Sequence, residues 1–329
     1  MEIEQAIGKI LQGYQPACVL MTANKLKVFD ELKSPASPDE VAKNLGLSLK
    51  GTERLLNALA CMGIAIKNNG RFHLPAEWQR YLTKDGDHSV QQWIRLVADL
   101  MPVWLELPRF IQSGTMVKSI MDVLGNQPEE MRAFIDAMHD KGLKATWMLA
   151  RELPLDDVQK MLDIGGGPGT YALEWAKLHN RLKATIFDIP PVVEVAKTYI
   201  KRYGLEDRVN TLAGDFTKDA LGDGYDLILM ANILHMYDEK VSQDLIRKAF
   251  KSLWPGGRIV IHGFCTDDEE TGPLQDALFS LNIGMLTQGG KAHPVKEKIQ
   301  WLEETGYQDI RHFRVQAIPT GVITGVKPK

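Results

Sequence analysis

Asp163, Gly165, Gly167 and Gly169 stand at alternate positions in the segment Met161-Leu162-Asp163-Ile164-Gly165-Gly166-Gly167-Pro168-Gly169. An apolar run leading into a glycine-packed turn reads as a buried strand followed by a helix, and the turn's backbone can press against a ligand where a Cβ would collide. Amides at the start of that helix would face a carboxylate or a phosphate. A dinucleotide fingerprint needs a third small residue three places after the second glycine, and that position here is Thr170. Asp188 follows Asp163 by 25 residues. An acid there can accept both hydroxyls of a ribose, or can serve as a helix N-cap ahead of Pro190 and Pro191. In Gly214-Asp215-Phe216, Asp215 can accept from an adenine amino group while Phe216 covers the ring, or the aspartate can simply make a turn. These three groups close three successive strands, where open α/β sheets bind ligands.

The elements that must position them alternate in type from Asp157 onward. Strands are expected at Lys160–Ile164, Ala184–Asp188, Val209–Ala213, Tyr225–Ala231 and Arg258–Gly263, with Ile310–Gln316 and Gly321–Val326 as a closing hairpin. Helices start near Thr170, Pro191, Glu239 and Val295. This is the pattern of an α/β fold, a Rossmann-like, doubly wound, mostly parallel seven-stranded sheet. Ahead of it, residues 89–152 read as a helical linker. It is rich in bulky apolar groups (Trp93, Met101, Trp104, Phe110, Met116, Met121, Met131, Phe134, Met138, Trp147 and Met148), most of them expected in the core and a few against a substrate. Residues 1–88 read as short helices and a β-ribbon. Ser37-Pro38-Asp39-Glu40 opens one helix and Gly46 closes it, Leu47 to Met62 forms a second, and Ile64–Ile66 pairs with Phe72–Leu74 across Asn68-Asn69-Gly70. Helix, turn, helix and hairpin make a winged-helix, mainly α module. The expected domains are thus 1–88, 89–152 and 153–329.

Composition narrows the partners. A chain of 329 residues with 44% hydrophobic content, 25% charged residues and a net charge of −3 is expected to be an ordinary globular protein without the cationic excess needed for nucleic acid. The winged-helix segment through Val90 holds 11 Lys and Arg against 10 Asp and Glu, which favours a scaffold over a DNA-binding module. Cys18, Cys61 and Cys265 are odd in number and widely spaced, as expected of reduced thiols in a cytoplasmic protein. No membrane segment or signal peptide is expected.

Taken together, these segments resemble the class I S-adenosylmethionine-dependent methyltransferases, and more narrowly the winged-helix O-methyltransferases related to caffeic acid and acetylserotonin O-methyltransferases. The resemblance rests on the Arg54–Leu59 helix, Leu162–Gly169, Phe187-Asp188-Ile189-Pro190, Gly214–Phe216, Ile233–Glu239, Pro255-Gly256-Gly257-Arg258 and Gly289-Gly290-Lys291. It implies S-adenosylmethionine as cofactor, with the glycine turn on the methionine part, Asp188 and Ile189 on the ribose side, Asp215 and Phe216 at the adenine, and Asn232 and Tyr237 completing the cofactor set. It also implies a homodimer formed through the N-terminal module. His235, at the end of the fourth strand, falls where such enzymes keep the base that takes a proton from the methyl acceptor. An imidazole with an unperturbed pKa near ~6.5 can do so at neutral pH.

The chain departs from that family on the acceptor side. Two acids usually flank the base, and their positions here fall at Gly263 and Ala292, beside His262 and His293. The base's usual aspartate neighbour is Met236 and the following tryptophan is Tyr237. Without a carboxylate to steady its imidazolium, His235 suits a nucleophile that needs little activation, with His293 sharing the acceptor side. The expected substrate is a hydrophobic, planar small molecule lined by Trp104, Met138, Phe279, Asn282, Met285 and His293, methylated at oxygen or, as in a bacteriochlorophyll-type branch, at carbon or nitrogen. Three alternatives remain open: a metal held by His235, His262, Cys265 and His293 (no metal is the expected state), a family member that uses the cofactor for hydroxylation or decarboxylation, and a ligand-responsive DNA regulator.

Overall fold

The computed structural model describes residues 2–124, 128–316 and 318–329. The chain divides into two compact units, Met1–Met101 and Pro102–Lys329.

The first unit is helical except for one hairpin: α1 (Ile3–Gln12), α2 (Tyr14–Lys25), α3 (Val28–Glu31), α4 (Pro38–Leu45), α5 (Leu49–Cys61), β1 (Ile66–Asn68), β2 (Arg71–His73), α6 (Ala76–Leu82) and the first part of α7 (Gln91–Leu105). Ser37 caps α4 reciprocally, its hydroxyl accepting from the Glu40 amide while the Glu40 carboxylate accepts from the Ser37 amide, and Gly46 ends the helix in the left-handed region. Asn69 and Gly70 both take positive φ, the two-residue turn that an Asn-Gly pair favours between β1 and β2. The hairpin begins later than its apolar run suggests. Ile64 and Ala65 are outside β1 because both amides donate to the Leu59 carbonyl and finish α5 instead. Phe29, Leu32, Leu56, Leu59, Phe72 and Leu74 form the buried centre. α1 buries none of its residues, and Ile3, Ile7, Ile10, Leu11 and the following Tyr14 leave an apolar face exposed at helical spacing.

The second unit begins with the rest of α7 and continues through α8 (Leu107–Ser113), α9 (Ile120–Leu124) and α10 (Pro128–Glu152). The alternating part follows: β3 (Lys160–Ile164), α11 (Thr170–Leu178), β4 (Lys183–Asp188), α12 (Pro190–Tyr203), β5 (Val209–Ala213), β6 (Tyr225–Ala231), α13 (Glu239–Ser252), β7 (Leu253–Gly263), α14 (Leu274–Leu286), α15 (Val295–Thr305), β8 (Gln308–Arg314) and β9 (Gly321–Val326). The seven strands lie in the order β5-β4-β3-β6-β7-β9-β8, all parallel except β9, which runs antiparallel to β7 and β8. The chain winds outward from β3 to β5 and then returns to β6 beside β3, so the loops after β3 and β6 part at a topological switch point, the usual ligand crevice of such sheets. One apolar layer joins the sheet to α11 and α12, and the other joins it to α13 and α15.

Three expectations change. None of the large residues of the 89–152 stretch is fully buried: Trp93, Met116 and Met121 are exposed and the other eight are half-buried, Met101 and Met148 among them packing against the cores, while the fully buried places go to Ile94, Val103, Ile135, Ala137 and Leu149. Smaller or branched side chains fill the close approaches of these helices, and the bulky ones reach past them. Helix α14 has no sequence forecast because apolar residues surround it on nearly every side and Pro273 gives its start no polar cap. β7 starts at Leu253 rather than Arg258, since Leu253 pairs with Tyr225 and the Gly256 amide bonds the Lys327 carbonyl through a segment whose Pro-Gly-Gly reads as a turn.

Trp175 is fully buried on α11, and its indole N–H donates to the Thr146 carbonyl at 3.0 Å. Trp175→Ala should cost about 3–5 kcal/mol in the unfolding of this unit, measured by guanidinium chloride denaturation. A loss below about 1 kcal/mol would mean that the layer can collapse onto the vacancy.

Candidate active site

The glycine turn after β3 is held from below and from the side. Gly165, Gly167 and Gly169 all take positive φ, and the Gly165 amide donates to the Phe187 carbonyl of β4. A Cβ on Gly169 would stand 2.2 Å from Ile186 Cδ1 and one on Gly165 2.6 Å from Ile233 Cδ1, whereas one on Gly167 would meet nothing within 4 Å. The turn is therefore packed at both ends and open at its crest. Asp188 Oδ2 accepts the Gly167 amide at 2.9 Å and Oδ1 accepts the Ile189 amide at 2.8 Å. Burial raises the Asp188 pKa, and these two amides oppose the rise. Asp163 lies beneath the turn, fully buried, with neither carboxyl oxygen hydrogen-bonded. Burial first and the negative charge of Asp188 second push its pKa up to about 8, while the Ala172 amide pulls it down without reaching hydrogen-bond geometry. α11 starts from Gly169 with no side-chain cap on its first amides.

Past β5, Asp215 Oδ1 accepts from the amide and hydroxyl of Thr217, and Oδ2 pairs with Lys218 at 2.9 Å. Phe216 is buried edge-on to Phe187 and Tyr237. Past β6, Asn232 takes φ 58° and its amide donates to the His262 carbonyl at 2.7 Å, turning the chain into the short 3-10 segment Leu234–Met236 that carries His235. The Tyr237 carbonyl accepts from His293 Nε2 at 2.9 Å.

His235 is buried against an aromatic wall. Phe264 and Phe279 stack at 3.7 Å between centroids, and the imidazole meets Phe279 edge-on at 4.7 Å and Phe264 at 6.1 Å. Among the described residues, none hydrogen-bonds its ring. Burial, then the positive charges of Lys298 and Lys141, hold its pKa well below the ordinary value. Lys298 is itself fully buried, donates to the Phe264 carbonyl at 2.8 Å and has a pKa lowered by burial to about 8.

The other histidines are engaged elsewhere. His262 Nδ1 meets the Tyr171 hydroxyl at 2.9 Å and Nε2 meets the Thr320 hydroxyl at 2.6 Å, and burial drives its pKa down to about 3. His293 packs edge-on to Trp301, with Nδ1 3.3 Å from the Glu297 carboxylate. Both nitrogens of His293 thus serve the Tyr237 loop and α15 rather than an open acceptor face. The four-residue metal alternative fails on the same geometry, and among the described residues no group of three or more His, Cys, Asp or Glu side chains could hold an ion.

Of the expected substrate-lining residues, Trp104 and Asn282 are joined by an indole N–H to Oδ1 bond of 3.1 Å, Phe279 packs on His235, and Met138 is half-buried on α10. Met285 is fully buried, its carbonyl accepting the Val117 and Lys118 amides. Sequence reasoning passes over Lys141, Lys298, Glu297 and the buried Asp276, whose Oδ1 accepts the Cys265 amide at 2.9 Å and whose Oδ2 faces Arg314 at 3.1 Å. Only Glu297 carried a signal, four residues after His293 at the start of a helix.

An O-methyltransferase domain matches residues 107–308, and an O-methyltransferase dimerisation domain matches residues 9–79. The chain belongs to the O-methyltransferase family. It is an S-adenosylmethionine-dependent methyltransferase on a mostly parallel seven-stranded sheet. It is similar to the 3-hydroxy-5-methyl-1-naphthoate 3-O-methyltransferase of Streptomyces sahachiroi, 29% identical over 94% of this chain and 91% of that protein. It is also similar to the acetylserotonin O-methyltransferase of Gallus gallus, 28% identical over 98% and 97%. Human N-acetylserotonin methyltransferase, solved in complex with S-adenosylmethionine, shares the fold with a TM-score of 0.90 at 23% identity over 100% of this chain and 99% of that one.

The His235, His262 and His139 imidazoles are all buried, and burial lowers the pKa of each, to about 3 for His262 and about 4 for His139. Each group with a depressed pKa stays neutral above it, so lowering the pH from 8 to about 6 should leave these three resonances unmoved in an NMR titration, whereas an ordinary imidazole would be mostly protonated by then. A His235 transition near ~6.5 would show that its surroundings do not exclude the charged ring.

Proposed function

We propose that this methyltransferase transfers a methyl group to a hydroxyl on a hydrophobic, planar small molecule. The observation that carries the reading is one crevice, at the switch point of the sheet, that joins an open glycine turn, two buried carboxyl groups and an unpartnered buried histidine. The residues present fit the cofactor. The crest of the turn at Gly167 is free, the uncapped amides of α11 suit a carboxylate, and the orphaned Asp163 and the Asp188 carboxylate suit a cation and ribose hydroxyls. When bound, the cofactor supplies a methyl group on a sulfonium that departs as a neutral thioether.

On this reading Gly165, Gly167 and Gly169 with Asp163 hold the methionine part. Asp188 and Ile189 hold the ribose, while Gly214, Asp215 and Phe216 receive the adenine, with Asn232 and Tyr237 closing the adjoining loop. Asp215 Oδ1 is already engaged by Thr217, so adenine contact there falls to Oδ2 or to the backbone. His235 takes the acceptor proton as the oxygen gains the methyl group, then releases it to water. Its depressed pKa makes the imidazolium short-lived and matches the site to an acidic hydroxyl. Trp104, Met138, Phe279 and Asn282 line the acceptor side, and His293 orders the Tyr237 loop beside it. The aromatic acceptors in the names of the naphthoate and acetylserotonin relatives support a planar substrate.

Calorimetry should give saturable heat with S-adenosylhomocysteine and none with a nicotinamide dinucleotide, and the reverse result would remove this assignment. His235→Ala should lower turnover by about 100-fold or more while leaving S-adenosylhomocysteine affinity within about twofold, as measured by single-turnover transfer of labelled methyl. Unchanged turnover takes His235 out of the reaction.

The same reading makes the chain a homodimer through its N-terminal unit, supported by the matched dimerisation domain and by the exposed apolar face of α1. Light scattering should report twice the 36.9 kDa chain mass, and Ile7→Glu with Ile10→Glu should shift it toward the monomer. A wild-type monomer at micromolar concentration would contradict the reading.

A further inference from the structure

Lys141 lies three residues beyond Met138 on α10, so the two share a face of that helix. Its ammonium stands 5.3 Å from the centroid of the Phe264 ring, the ring that stacks on Phe279 and packs with it against His235. The side chain is exposed, yet burial lowers its pKa.

Among the described residues no carboxylate pairs with Lys141, and three other acids are engaged by their own partners. Asp136 binds Arg132 and the Tyr199 hydroxyl, Asp276 takes Arg314 and the Cys265 amide, and Glu297 takes Lys291 and His293. Asp140, next to Lys141 in sequence, has its pKa raised to about 7 by burial and by the charge of Asp136, which favours its neutral form. What Lys141 shares with His235 is instead the Phe264–Phe279 wall, whose Phe264 carbonyl accepts from the buried Lys298. An ammonium held over an aromatic face with no carboxylate partner is available to an anion that enters beside that face.

We infer that Lys141 binds an anionic oxygen of the methyl acceptor, so that the substrate is an aromatic carboxylate or a hydroxyarene acidic enough to bind as its oxyanion. The inference rests on the acceptor side proposed above. It also bears on His235, which has no carboxylate beside it: an anionic group carried by the acceptor would steady the imidazolium that forms there.

The test titrates the full chain with 2-naphthoate and with its neutral counterpart 2-naphthalenemethanol, each with and without saturating S-adenosylhomocysteine. Wild type should bind the carboxylate about tenfold more tightly than the alcohol, Lys141→Arg should keep most of that preference, and Lys141→Met should abolish it. S-adenosylhomocysteine affinity and thermal stability should stay at wild-type values in both variants. A hydroxynaphthoate against a nitrophenol of matched size then separates a carboxylate substituent from an ionised acceptor oxygen. No binding of 2-naphthoate, equal affinity for acid and alcohol, or a preference that survives in Lys141→Met would overturn the inference. Failure of S-adenosylhomocysteine to bind overturns the cofactor assignment instead.

Discussion

The site depends on how one carboxylate is shared. Asp188 receives the amides of Gly167 and Ile189, one from the turn after β3 and one from its own strand end, and so locks two loops that leave neighbouring strands. The bridge fixes the crest at Gly167, which no side chain packs against, while Gly165 and Gly169 are held by Ile233 and Ile186. The bridge also holds a negative charge close to Asp163, which burial already drives toward its neutral form. Two buried acids beneath an open turn make a structure that a cationic ligand with hydroxyl groups would stabilise.

Across the same crevice the electrostatics reverse. His235 sits among phenyl rings and lysines with no carboxylate beside it, and His262 and His293 are spent on hydroxyl, carbonyl and carboxylate partners. The His235 side therefore carries no carboxylate against the imidazole, while the glycine-turn side holds two buried acids, of which Asp163 is driven toward its neutral form. On the proposed reading, transfer from a sulfonium to an ionised acceptor oxygen would neutralise both charges, whereas transfer to a hydroxyl would leave the positive charge on His235.

The polar pairs behind the Phe264 wall keep that half in shape. Lys298, Asp276 and Arg314 are tied to the Phe264 and Cys265 backbone, so the wall is fixed by buried charge rather than by apolar packing alone. Loss of one partner would leave another buried and unpaired.

Much of this was written into the chain locally. The glycine spacing, the acid at the end of the second strand, the Asn-Gly turn and the alternation of apolar runs act over a few residues, and β3, β5, β6 and β9 fall at their expected limits because strand periodicity and turn chemistry are short-range. Helix α14 and the early start of β7 were hidden, since an all-round apolar helix has no stripe and a Pro-Gly-Gly segment reads as a turn until a distant strand pairs with it. The roles of the histidines and lysines were decided only in three dimensions. Their charge states depend on burial and on neighbours tens to hundreds of residues away, such as Tyr171 for His262 and Phe264 for Lys141, and no local pattern encodes which polar residue will be left facing open space.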